Sequence, residues 1–107
     1  MSERQTILSK DIKFQGFLKF DHNVKIDGKF QGSIESTGNL TIGPSGEVNA
    51  DVKTLNIEVL GKFKGNIIAK EKIHFKKNSV IRGDIHCKEL EIESGSKFTG
   101  TCIMDTL

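Results

Sequence analysis

The sequence predicts an all-β protein, a β-helix (β-solenoid) of about six rungs. Three observations carry this expectation. A five-residue phrase of apolar, any, small, any, apolar residues starts at positions 14, 30, 48, 63, 81 and 98, at steps of 16, 18, 15, 18 and 17. A second phrase, apolar-polar-apolar, starts at 24, 40, 55, 73 and 90, at the same mean step. Near-constant steps this short mark stacked repeats. The third observation is negative: glycines are dense, strict alternation is frequent, and no 3.6-residue apolar stripe persists, which disfavours helix.

Taken in order, residues 1–11 are largely polar, with Ile7-Leu8 the only adjacent apolar pair. They read as a short flexible N-terminal tail. Residues 12–104 read as the β-helix and 105–107 as a short C-terminal end. The first rung is Phe14-Gln15-Gly16-Phe17-Leu18 followed by Val24-Lys25-Ile26. The next four rungs repeat both phrases and the sixth only the first, so equivalent residues stack at about 4.8 Å. One inward column then reads Phe14, Phe30, Val48, Phe63, Ile81, Phe98, and another Leu18, Ile34, Val52, Ile67, Ile85, Cys102. Between them run Gly16, Gly32, Ala50, Gly65, Gly83 and Gly100. Alternation places this small column inward, where a larger side chain has no room; glycine also permits a bend there. Gly28, Gly46, Gly61 and Gly95 precede the next anchor and read as corners with positive φ. The second phrase of the third rung reads Leu55-Asn56-Ile57. Phe17, Leu60 and Ile68 should face outward in this register.

Composition narrows function. The chain has 107 residues and a formal net charge of +2, without a basic stripe, Trp or Tyr. That argues against nucleic acid as a partner. No stretch is long enough to span a bilayer and no signal peptide opens the chain, which suggests an intracellular protein. His22, His74 and His86 lie at polar or turn positions without metal-ligand spacing and read as solvent-facing. Cys102 stacks over Ile85, and Cys87 under Met104, so both cysteines read as buried and unbridged. The outward column Phe17, Ser33, Asp51, Asn66, Asp84, Thr101 lacks the clustered acids of a polysaccharide-cleaving solenoid. No catalytic residue, cofactor site or metal site is assigned.

The ends of the coil are the informative part. Phe14, Phe17 and Leu18 lie on the first rung, and Phe98, Ile103 and Met104 at the last, with little material to cap either. Repeat proteins normally cover such ends. An open apolar end of roughly 400 Å² is worth about 10 kcal/mol when covered, against about 4–15 kcal/mol for association. End-to-end assembly is therefore the expectation.

Several phrases, taken in order, resemble the bactofilins: Asp27-Gly28-Lys29-Phe30-Gln31-Gly32-Ser33-Ile34, Leu40-Thr41-Ile42-Gly43, Gly61-Lys62-Phe63-Lys64-Gly65-Asn66-Ile67, Gly83-Asp84-Ile85 and Leu90-Glu91-Ile92-Glu93-Ser94-Gly95-Ser96-Lys97-Phe98-Thr99-Gly100. The resemblance runs from about Phe14 to Cys102. It implies a right-handed β-helix that polymerises end to end, without nucleotide, into non-polar cytoskeletal filaments. Such filaments scaffold cell shape, appendages or cell-wall enzymes in the bacterial cytoplasm, some at the inner face of the cytoplasmic membrane. It also implies that Phe98, matching an aromatic near the end of the family core, belongs to the joint. Many family members bind membrane through a short N-terminal segment of apolar residues, often with a Phe near the initiator Met. This tail has only Ile7 and Leu8, which argues against direct membrane binding. Two other classes compete with the filament subunit: a non-polymerising binding module for a partner such as a scaffold protein or wall hydrolase, and, last, a polysaccharide-acting β-helical enzyme.

Overall fold

The computed structural model describes the backbone of residues 5–8 and all of residues 13–104. Every regular element in it is a strand. In order they are β1 (Gln5–Leu8), β2 (Lys13–Phe20), β3 (Asn23–Ile26), β4 (Lys29–Ser36), β5 (Asn39–Ile42), β6 (Glu47–Val59), β7 (Lys62–Phe75), β8 (Val80–Cys87), β9 (Glu89–Ile92) and β10 (Lys97–Met104). All pairings are parallel and form two stacks. The first stack runs β2, β4, the first half of β6, the first half of β7, β8, β10. The second runs β1, β3, β5, the second halves of β6 and β7, then β9. Six stacked strands are separated by five returns of the chain, and the β-solenoid has about five turns.

Alternation along each strand builds the core between the stacks. Phe30, Val48, Phe63 and Ile81 are register partners in succession and are each at most 3% exposed. Ile34, Val52, Ile67 and Ile85 form the neighbouring buried column. From the second stack come Ile26, Ile42, Val59 and Phe75, all 0% exposed. Phe17 and Ile68 face outward as expected, while Leu60 is half-buried.

Five expectations need correction. The tail expected to be flexible contains β1, whose residues Gln5–Leu8 pair with Asn23–Ile26 and extend the second stack. Ile7 and Leu8 therefore lie in a strand; residues 1–4 and 9–12 of the expected tail, and 105–107, lie outside the described residues.

The third-rung phrase is shifted by two residues. Leu40 pairs with Ile57 and Ile42 with Val59, so the stacked unit is Ile57-Glu58-Val59. The starts become 24, 40, 57, 73 and 90, a more regular series. Leu55 sits at the corner instead, where its N–H donates to Gly38 O at 3.2 Å. Thr54 is buried beside it, its hydroxyl placed 3.0 Å from the same carbonyl. Thr54, rather than Leu55, takes the inward slot, where its buried hydroxyl finds acceptors in Gly38 O and, at 3.2 Å, Asn56 O.

The small column is also explained differently. Gly16, Gly32, Gly65, Gly83 and Gly100 have φ between 130° and 141°, whereas Ala50 is not among the positive-φ residues. A Cβ on Gly83 would collide with the backbone of Gly65 in the rung before, not with core side chains. The glycines are there for backbone conformation and backbone-to-backbone stacking. Of the four corner glycines, Gly95 alone has positive φ. At Gly46 and Gly61 the constraint is close approach, since a Cβ would meet carbonyl oxygens of the adjoining turn.

Cys87 is buried as expected, but Cys102 is exposed, although it pairs with Ile85 as the register requires. It lies in β10, the last strand of its stack, with none beyond to cover it among the described residues.

Candidate functional site at the ends of the coil

Ile92 measures how open the C-terminal end is. It occupies the column of Ile26, Ile42, Val59 and Phe75, which are 0% exposed, yet it is itself 50% exposed. All five are apolar and hold the same register position; what differs is that, among the described residues, β9 pairs with β7 on one side only. β10 likewise pairs only with β8. Among the described residues both stacks thus end in unpaired backbone edges, the geometry that invites a further strand.

The side chains there match. Met104 is 45% exposed, Cys102 is exposed, and Phe98 and Leu90 are half-buried against the core. Ile103, at 54%, lies between them in sequence and pairs with His86, so it belongs to the outer flank rather than the end face. Contiguous apolar surface of this kind marks an interaction site.

The N-terminal end follows the same plan. In the first stack Phe14 and Leu18 are half-buried, and the Phe14 ring stacks on Phe30 with centroids 5.1 Å apart. In the second stack β1 covers β3, and Val24 and Ile26 are 2% and 0% exposed. Among the described residues β1 and β2 are each paired on one side only, so at this end too both stacks finish in open edges. Phe17 is 59% exposed on the outer face of that first rung. The sequence reading brought Phe14, Leu18, Phe98 and Met104 to the ends, and the structure agrees on their place. It missed Leu90 and Ile92, although both belong to the last copy of the second phrase. It also missed the terminal strand β1, which is only four residues long.

Beside the C-terminal end runs a polar flank. Asn39 Nδ2 donates to Asn23 Oδ1, and Asn56 Nδ2 to Asn39 Oδ1, each at 2.9 Å. Lys72 continues this column and its ammonium donates to Glu91 Oε1 at 2.7 Å. That contact holds the Glu91 carboxyl below the usual carboxylate range and pushes Lys72 up. Glu93 is also held low: burial alone would raise it, but the Lys77 N–H, His74 and Lys76 outweigh that. His74 is not the solvent-facing residue expected. Its side chain is 17% exposed, with Nε2 2.9 Å from Glu93 Oε2.

A family model described as "Bactofilin: Polymer-forming cytoskeletal" matches residues 6–103. Bactofilin BacO of Myxococcus xanthus (strain DK1622) is 33% identical over 100 residues, which is 94% of this chain and 79% of the relative. Bactofilin BacP of the same organism is 30% identical over 95 residues, 89% of this chain but 40% of the relative. Among solved structures, a Thermus thermophilus bactofilin reconstructed by cryo-EM as double helical filaments aligns with a TM-score of 0.88 at 30% identity, covering 94% of this chain and 99% of the other. The cytoskeletal bactofilin BacA, solved by solid-state NMR, aligns with a TM-score of 0.86 at 29% identity, covering 96% and 98%.

Proposed function

The chain belongs to the bactofilin family of polymer-forming cytoskeletal proteins, and from that premise we propose that it is a structural, non-enzymatic subunit joining end to end without nucleotide. The observation that carries this is the pair of open stacks at the C-terminal end, with Ile92 50% exposed where its equivalents are 0%. Leu90, Ile92, Phe98, Cys102 and Met104 form the C-terminal joint; Phe14 and Leu18, with Phe17 at the rim, form the N-terminal one. Covering these apolar ends and pairing their edge strands supplies the driving force. No nucleotide is needed, because the ends are apolar and already in place in the folded subunit.

The two ends share a plan, with β1 extending the second stack at one and β10 the first stack at the other, but they differ in side chains. Like ends meeting like ends give a filament without polarity, as the family resemblance implies. Such a filament would act as a cytoplasmic scaffold for cell shape or for wall and appendage machinery. Its outer flanks would be left for partner proteins such as cell-wall enzymes or other scaffolds. Placement at the inner face of the membrane would come through such partners, since the only apolar pair of the tail, Ile7-Leu8, lies in strand β1.

Negative-stain microscopy and sedimentation of the purified chain in nucleotide-free physiological buffer test this reading. Filaments are the expected result. A strict monomer at high concentration would overturn it.

A further inference from the structure

We propose that His74, Glu91 and Glu93 form a divalent-cation site of the borderline class that Zn²⁺ represents. Its position is the flank of the last two turns. His74 and Glu91 are register partners on β7 and β9, and Glu93 follows directly after β9. Two of the three ligands are thus placed by a paired sheet.

The orientation of each group is specific. Glu91 gives Oε1 to Lys72 at 2.7 Å and turns Oε2 toward His74 Nε2 at 3.5 Å. Glu93 accepts the Lys77 N–H on Oε1 at 3.2 Å and turns Oε2 toward the same Nε2 at 2.9 Å. Each carboxylate is pinned by one oxygen and offers the other to a shared point. The three donor atoms lie within 4.8 Å of one another. A tetrahedral site with bonds of about 2.1 Å has ligand-to-ligand edges of about 3.4 Å, so the observed spacing needs little movement. Behind the ring, Nδ1 faces Glu58 Oε2 at 3.9 Å. Without a cation, Nε2 donates to Glu93 Oε2 at 2.9 Å; an entering metal takes the place of that proton, and Glu58 is then the carboxylate beside an Nδ1–H. One nitrogen and two carboxylate oxygens suit Zn²⁺ better than Mg²⁺, which prefers oxygen and water.

Lys76 is the competitor. Its ammonium lies 3.5 Å from Glu93 Oε2 and 3.6 Å from Glu58 Oε2. It partly neutralises the site and must yield when a cation enters. Three carboxylates nevertheless face two ammonium groups, so with a neutral imidazole the cluster keeps a negative charge. A bound cation would tie β9 to β7, the two last strands of the second stack.

Calorimetric titration of the full chain with ZnCl₂, with MgCl₂ as comparison, tests the site. The expected result is one class of Zn²⁺ site per chain and weaker uptake of Mg²⁺. His74→Gln and, separately, Glu91→Gln should each weaken Zn²⁺ binding at least about tenfold, while Lys76→Met strengthens it. Zn²⁺ should raise the melting temperature of the parent chain and not that of His74→Gln. His22→Gln and His86→Gln should bind like the parent. Zn²⁺ binding unchanged in both His74→Gln and Glu91→Gln, or no uptake by the parent at millimolar metal, would overturn the proposal.

Discussion

Phe98 stacks on Phe75, with ring centroids 5.8 Å apart and planes 30° from parallel. Its register partner in the stack is Ile81, yet the ring reaches across to the opposite stack. One side of Phe98 therefore closes the core over Phe75, which is 0% exposed, while the residue itself stays half-buried at the open end. The last rung is both lid and contact surface.

Phe98→Arg should block or strongly weaken assembly, because a guanidinium would be carried into an apolar joint. Since Phe98 also packs on Phe75, a cleaner variant is Ile92→Lys, whose site is already half open. It should leave monomer stability within about 0.5 kcal/mol and still raise the concentration needed for filaments by about tenfold or more. Sedimentation at a series of concentrations measures this. Assembly unchanged in both variants would remove the C-terminal end as a joint.

The cysteines offer a footprint of the same face. Cys102 should react with a maleimide at once in the monomer, and Cys87 only on unfolding, since it is 1% exposed. Assembly should slow labelling at Cys102. Mass spectrometry of the labelled chain before and after assembly tells the two thiols apart, and equal Cys102 rates would place the joint elsewhere.

Gly83→Ala should cost more than about 3 kcal/mol in urea unfolding, because Gly83 has φ of 130° and an added Cβ would strike the Gly65 backbone. Ala50→Gly, in the same column, should cost only about 0.5–1 kcal/mol. Equal costs would mean that the column is set by size, not by backbone conformation.

The asparagine ladder has a direction. Asn23 only accepts in it, through Oδ1, whereas Asn39 donates to Asn23 and accepts from Asn56. Asn23→Asp should therefore keep the bond, and Asn39→Asp should lose one, at about 1 kcal/mol. Thermal melts of the two variants should separate in that order.

The Lys72–Glu91 pair sets a pH window. Glu91 and Glu93 titrate lower in the folded chain, so their contribution is complete above the unfolded carboxylate value of about 4.3 and is lost as pH falls through the folded values. Lys72 titrates higher when folded, so its contribution is complete below about 10.4 and is lost as pH rises through the folded value. The melting temperature of the parent chain should exceed that of Glu91→Gln most between these limits and converge with it outside them. A constant gap from pH 3 to pH 8 would count against the pair.

Much of the fold was legible because a solenoid repeats its own test. Phe30, Val48, Phe63 and Ile81 align by spacing alone, and each added copy confirms the register. The corner at Thr54–Leu55 was misread because an apolar residue there mimics the next phrase. Only the pairing register and the hydrogen bonds of the Thr54 hydroxyl show that a polar side chain turns inward at that point. Ile92 was overlooked for the opposite reason. Its pattern is identical to that of its buried equivalents, and exposure depends on a neighbour the pattern cannot count.

By itself the sequence determined the period, the inward columns, the solenoid class and the family resemblance, since these follow from local alternation repeated at fixed steps. The tertiary structure decided what lies at the two ends. It showed that β1 adds a strand to the second stack at the N-terminal end and that, among the described residues, each stack ends in a strand paired on one side only. It also gathered His74, Glu58, Glu91 and Glu93 from three successive turns onto one flank. The physical reason is the same in each case: burial and charge clustering depend on which strand lies next in the stack, and that neighbour is some 17 residues away in the chain.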